Sequence, residues 1–152
     1  MVKRICLIIL ICLLLTACSF DDAVILSLPA YSQKEVYTEG EFQDYTDYGI
    51  YQYPSFDKNK LEENLYFEPV MDVDTILSYI ENFETWINEG SELFDHYDFD
   101  KCWIGEGDYV FIDTKEGKPI GNGSSTYDKF DNYNIYFFDL DTWTLYYFHN
   151  NI

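Results

Sequence analysis

"NIYFFDLDTWTLYYFHNN", residues 134–151, decides the fold. Two aromatic runs, 133–139 and 144–149, flank Leu140-Asp141-Thr142-Trp143, and such a pair of runs across a short polar break reads as a β-hairpin. A loop over 140–143 sets the register. Phe138 then faces Leu145, Tyr136 faces Tyr147, Phe137 faces Tyr146 and Ile135 faces Phe148. Cross-strand pairs of this kind stabilise a sheet by roughly 0.2–1 kcal/mol each. The alternation puts Tyr136, Phe138 and Tyr147 on one face and Phe137 and Tyr146 on the other. A strand with one wet side alternates apolar and polar residues, and this hairpin does not. Each face is therefore covered by the rest of the chain or used for binding. The Tyr-rich stretch 42–67 is the expected cover for the second face. Left bare, Tyr136, Phe138 and Tyr147, or the opposite Phe137 and Tyr146, are the candidate binding face.

Working outward, "DVDTILSYIENFETWINEG" (72–90) carries Ile76, Ile80, Phe83 and Ile87 at helical spacing. Asp72 or Asp74 can cap its start, and Gly90 suits a left-handed end. The spacing predicts a helix over about 73–89. "DYVFIDT" (108–114) reads as a strand, followed by a turn at 115–118 and a Gly/Ser/Asn loop to Ser125. "DYGIYQYPSF" (47–56) reads as another strand, stopped by Pro54. The sum is an α+β fold of two layers. One main helix packs on an antiparallel sheet of three or more strands that ends in the C-terminal hairpin. Cystatin-like and NTF2-like rolls share this element order, an analogy of fold that carries no function.

The N-terminus speaks to location. Lys3 and Arg4 precede an apolar run from Ile5 to Leu15, too short to span a bilayer and suited to a signal-peptide core. It ends in Leu15-Thr16-Ala17-Cys18, which resembles the lipobox of bacterial lipoproteins. The resemblance implies cleavage before Cys18 and a diacylglyceryl (palmitate-type) lipid on its thiol, which would hold the chain on the outer side of a bacterial membrane. The expected organisation is a signal peptide at 1–17, a lipidated Cys18 with a tether to residue 41, and one α+β domain over 42–152. Val24 to Leu28 is a short apolar patch ended by Pro29, readable also as an edge strand. "YFFD" and "TLYYFHNN", with Asp108-Tyr109 upstream, resemble small bacterial lipoproteins of unknown function over roughly residues 70–152.

Charge excludes one partner class. The chain has 28 acidic and nine basic residues, a formal charge of −19. Two of the nine, Lys3 and Arg4, lie in the signal, and Arg4 is the only arginine. Nucleic acid is bound by neutralising phosphates with Lys and Arg, so this surface is unsuited to it. It is equally repelled by anionic lipid, which leaves the lipid on Cys18 as the membrane attachment.

Candidate chemistry is sparse. Asp95, Asp98 and Asp100, with Glu106 and Asp108 downstream, offer oxygen ligands for calcium, but the stretch lacks the glycine and closing Glu of an EF-hand loop. Two carboxylates can run glycoside hydrolysis, yet nothing singles out a pair among 28 acids. Cys102, the one thiol outside residues 1–18, reads as a small core residue. His149 follows too soon after it for a papain-like arrangement. "GKPIGNGSS" (117–125) matches neither a Walker A loop nor a dinucleotide fingerprint, and no cofactor is expected. The reading is a membrane-anchored, extracytoplasmic binding module without enzymatic activity, similar in broad character to acidic lipoproteins of the immunity or inhibitor type. An extracytoplasmic protein is the expected partner. The alternative is a cell-envelope carbohydrate-binding domain or a carboxylate-dependent glycoside hydrolase.

Overall fold

The hairpin forms in the expected register. In the computed structural model, which describes residues 21–41 and 44–151, strand β5 (Asn132–Asp139) pairs with β6 (Thr144–Asn151). Phe138 lies opposite Leu145, Phe137 opposite Tyr146, Tyr136 opposite Tyr147 and Ile135 opposite Phe148. Asp139 shapes the turn: its carboxylate accepts from the Asp141 and Thr142 amides at 2.8 and 3.3 Å and from the Thr142 hydroxyl at 2.7 Å. Trp143 closes the turn at φ 54°, a left-handed conformation that side chains seldom take.

Around this hairpin the other strands assemble antiparallel. They are β1 (Gln33–Glu41), β2 (Asp44–Gln52), β3 (Glu68–Pro69) and β4 (Tyr109–Thr114). The order across the sheet is β1-β2-β6-β5-β4-β3. Both outer strands discourage further pairing: β1 carries Lys34, Glu35, Glu39 and Glu41, and β3 is two residues long and contains Pro69.

One face of the sheet is covered by helix α3 (Val73–Glu84), which follows the short helices α1 (Ala23–Leu26) and α2 (Asn59–Glu62) in the chain. Asp72 caps α3, accepting from the Thr75 amide at 3.1 Å. The helix buries Ile76, Tyr79, Ile80 and Phe83 against Tyr133, Ile135, Phe137 and Phe148. The Tyr133 hydroxyl donates to the Tyr79 carbonyl at 3.2 Å and to Asn82 Oδ1 at 3.0 Å, so a buried phenol is satisfied by the helix that covers it. Helix α3 ends at Glu84 rather than near residue 89. Beyond it Ser91 donates to Glu39 of β1 at 2.7 Å and Asn88 bonds the same carboxylate, which pins the chain to the sheet edge. Gly90 does take the left-handed conformation, at φ 82°, but in the turn before α4 (Glu92–His96).

The opposite face is covered as well, and not only by residues 42–67. Tyr53, Leu61 and Phe67 bury there as expected, with Phe56 and Tyr66 packed around them. The other half of the cover is α1. Asp22 caps it by accepting from the Val24 and Ile25 amides at 2.9 and 3.0 Å, the Ser27 hydroxyl bonds back to Val24, and Pro29 prevents extension. Four residues cannot hold a helix in water by themselves. Val24, Ile25 and Leu28 are each less than 9 % exposed against the aromatic face, and that burial carries the segment.

The expected tether over 18–41 therefore needs correction from Asp21 onward. The patch Val24–Leu28 is not an edge strand: it is helix through Leu26 and then a turn, and residues 33–41 form an outer strand of the sheet. Asp21 is docked too, accepting from Lys34 Nζ and, at 2.9 Å, from the Tyr31 hydroxyl. The sheet thus lies between a helical layer and a thinner layer of short segments. The signal peptide and Cys18 lie outside the described residues.

Candidate functional site

The aromatic face is core. Phe138 and Phe137 are fully buried, Tyr136 is 3 % exposed and Tyr146 8 %. Tyr147 is half-buried and donates to Asn134 Oδ1 at 2.9 Å. The Tyr136 hydroxyl reaches across to the carboxylate of Asp22, so the cap of α1 is also the partner of a central sheet tyrosine. Burial, the neighbouring Tyr147 and that carboxylate raise the Tyr136 pKa far above its ordinary value. Neither Tyr136, Phe138 and Tyr147 nor Phe137 forms a displayed platform.

Tyr146 is different, because it also walls a cavity. This cavity of about 160 Å³ is lined by Gln33, Glu35, Ile50, Gln52, Asp98 and Tyr146. Strand alternation puts Gln33 and Glu35 of β1, Ile50 and Gln52 of β2 and Tyr146 of β6 on the α3 side of the sheet, and the loop after α4 brings in Asp98. Trp103, 40 % exposed, lies 5.5 Å from the Tyr146 ring and packs edge-on against Phe99.

Both carboxylates are held by neighbouring donors. Glu35 accepts from the Tyr37 hydroxyl and from Gln33 Nε2, each at 2.6 Å. Those bonds, that from Tyr37 foremost, hold its carboxyl below the usual range, and the same bond pushes the Tyr37 phenol up to about 12. The Tyr37 ring in turn stacks on His96 of α4, with ring centres 4.2 Å apart. Asp98 accepts from the buried Tyr48 hydroxyl at 2.8 Å. Burial pushes the Tyr146 phenol up to about 12, so it stays a neutral donor. The wall thus holds two carboxylates and one phenol, and the Trp103 indole neighbours that phenol's ring outside the lining. It can bind a cation or a hydroxyl-rich ligand.

The calcium candidates do not converge. Asp95 lies in α4, Asp98 faces the cavity, and Asp100 caps the single turn Lys101–Trp103 by accepting from the Cys102 amide at 2.9 Å. Asp108 is tied to the backbone, accepting from Gly105 at 3.1 Å and Leu140 at 3.0 Å. Among the described residues no three His, Cys, Asp or Glu side chains come together as they would around a metal ion. Cys102, expected in the core, is exposed, and its hydrogen bond to Asp100 raises its thiol pKa. That makes it a weak nucleophile, and its segment packs on the face of the sheet opposite to that of His149.

Gln33, Glu35, Gln52 and Trp103 had not been anticipated. The signal for Glu35 was the alternation of Gln33, Glu35 and Tyr37 with Lys34 and Val36, in a stretch read as tether. No protein-family model, no curated protein and no solved structure matches this chain.

Proposed function

We propose that this chain is a lipid-anchored, extracytoplasmic binding module without catalytic activity, and that it receives a basic side chain of a protein partner in the Glu35–Asp98–Tyr146 cavity. The observation that carries the binding role is the cavity wall: two carboxylates already oriented by tyrosine and glutamine donors, beside a half-exposed tryptophan. Preorganised acceptors beside an aromatic surface suit an inserted Lys or Arg, by ion pairing and by cation–π contact. Trp, Tyr and Arg are the residues that anchor protein interfaces. A chain this acidic favours a basic partner and fast, salt-sensitive encounter. Anchoring rests on the lipobox-like Leu15-Thr16-Ala17-Cys18.

The glycoside-hydrolase alternative asks for one carboxyl held protonated near neutral pH. Glu35 is shifted the other way. Sugar binding without catalysis remains the second reading, favoured by Trp103 beside the acceptor wall. The test uses the full protein extracted in detergent, crosslinked to envelope proteins and compared with Glu35→Gln and Trp103→Ala. A specific basic protein, captured by the parent, lost in both variants and released by salt, is the expected result. Saturable glycan binding that needs Trp103 but ignores salt would refute the protein-partner reading.

A further inference from the structure

The fold leaves almost no leash between the lipid site and the domain. Cys18 is three Cα–Cα steps from Asp21, and each step spans about 3.8 Å, so the two Cα atoms lie within about 11 Å of one another. Asp21 is fixed to the body by Lys34 and Tyr31, and Asp22 by α1 and Tyr136. A lipid on Cys18 therefore emerges beside α1, on the side of the sheet opposite α3. That side carries two of the most exposed large apolar residues, Leu26 at 71 % and Leu65 at 98 %. They belong to one surface, because Asn64 Nδ2 donates to the Ser27 hydroxyl oxygen at 2.9 Å, next to both.

From these placements we infer that the α1 surface, with Leu26 and Leu65, rests on the lipid bilayer, and that the anchor holds the domain flush rather than on a tether. The partner is the lipid surface itself. Apolar side chains dip into the headgroup–acyl boundary, with the covalent chain confining the domain to that depth. The opposite layer, with Trp103 and the Glu35–Asp98 wall, then faces away from the membrane. The inference rests on the lipoprotein reading, and its test separates the two.

The mature protein is reconstituted in zwitterionic phosphatidylcholine vesicles containing a nitroxide-bearing lipid as quencher. A thiol-reactive fluorophore is placed at native Cys102, or at position 26 or 65 in Leu26→Cys/Cys102→Ser and Leu65→Cys/Cys102→Ser. Both new sites are exposed, so neither substitution disturbs packing. The expected result is quenching at 26 and 65 at least about twofold stronger than at Cys102, as a dipped surface requires. Equal quenching at all three sites, or stronger quenching at Cys102, overturns the flush placement. The Cys102→Ser protein alone reports on the anchor. It takes up no label if a thioether occupies Cys18, whereas labelling at Cys18 with loss from the membrane fraction refutes the lipoprotein reading instead.

Discussion

Raising the pH should unfold this protein abruptly, because its core is built from phenols. Tyr48, Tyr51, Tyr53, Tyr97, Tyr133, Tyr136 and Tyr147 are all held well above their ordinary pKa, chiefly by burial. Tyr37 and Tyr146 are pushed up to about 12, the first by Glu35 and the second by burial. A group whose pKa is raised on folding contributes stability that is complete below its unfolded value, near pH 10, and lost as pH climbs above it. Each of the seven loses about 1.4 kcal/mol for every pH unit above 10, so at pH 11 the set loses on the order of 10 kcal/mol. Domains of this size are stable by about 5–15 kcal/mol, so the fold should fail near pH 11. The assay follows phenolate absorbance at 295 nm together with far-ultraviolet circular dichroism. The two signals should change together, in one steep step displaced above pH 10. Gradual ionisation centred near pH 10 with unchanged dichroism would refute the reasoning, since it would mean that these phenols are in water.

Three further outcomes are expected. Ile25→Ala should lower stability by about 2–3 kcal/mol in urea unfolding, while Leu26→Ala beside it changes stability by less than about 0.5 kcal/mol. Equal effects would return α1 to the status of a tether. Gly49→Ala should cost about 1–3 kcal/mol by overpacking, because a Cβ there would sit 3.1 Å from the Tyr51 ring and 3.3 Å from Tyr147 Cβ; an unchanged melting temperature would contradict the close approach. On the acid side, burial lowers the His149 pKa, with Asp47 opposing and Lys115 adding to the shift, while Nδ1 lies 2.8 Å from Asn134 Oδ1 and 3.1 Å from the Tyr133 carbonyl. Its contribution is complete above pH 6.5 or so and falls as pH drops toward its folded value, whereas Asp47, raised by burial, works in the opposite sense at lower pH. His149→Gln should flatten the slope of stability between about pH 6.5 and 5; an unaltered slope would place its source elsewhere.

The hairpin was legible because alternation and loop length together leave one register, and Ile135, Phe137, Tyr146 and Phe148 occupy it as expected. The main helix was legible from Ile76, Ile80 and Phe83, but its end was not. The chain leaves α3 early to meet Glu39, a contact between residues about fifty apart that no local pattern encodes. Residues 21–41 were misread for a related reason. Their polar composition looks like a tether, yet β1 is an outer strand that needs charge on its edge, and α1 with the turn after it buries only Val24, Ile25 and Leu28. The apolar second face of the hairpin did demand a cover. What it could not say is that the cover includes Val24 and Ile25, a few residues after Cys18. The cavity was illegible in the same way, since Glu35 and Asp98 come to line one cavity only once β1 joins the sheet.

Hydrogen exchange in α1 of the membrane-bound protein tests the central claim most directly. The Leu26 and Ser27 amides donate to Asp22 and Ala23, and Leu28 donates to Ile25, over a buried face. The account predicts that these three amides exchange orders of magnitude more slowly than free peptide, as amides of a docked element do. Exchange at the free-peptide rate, with β5 and β6 still protected, would contradict it.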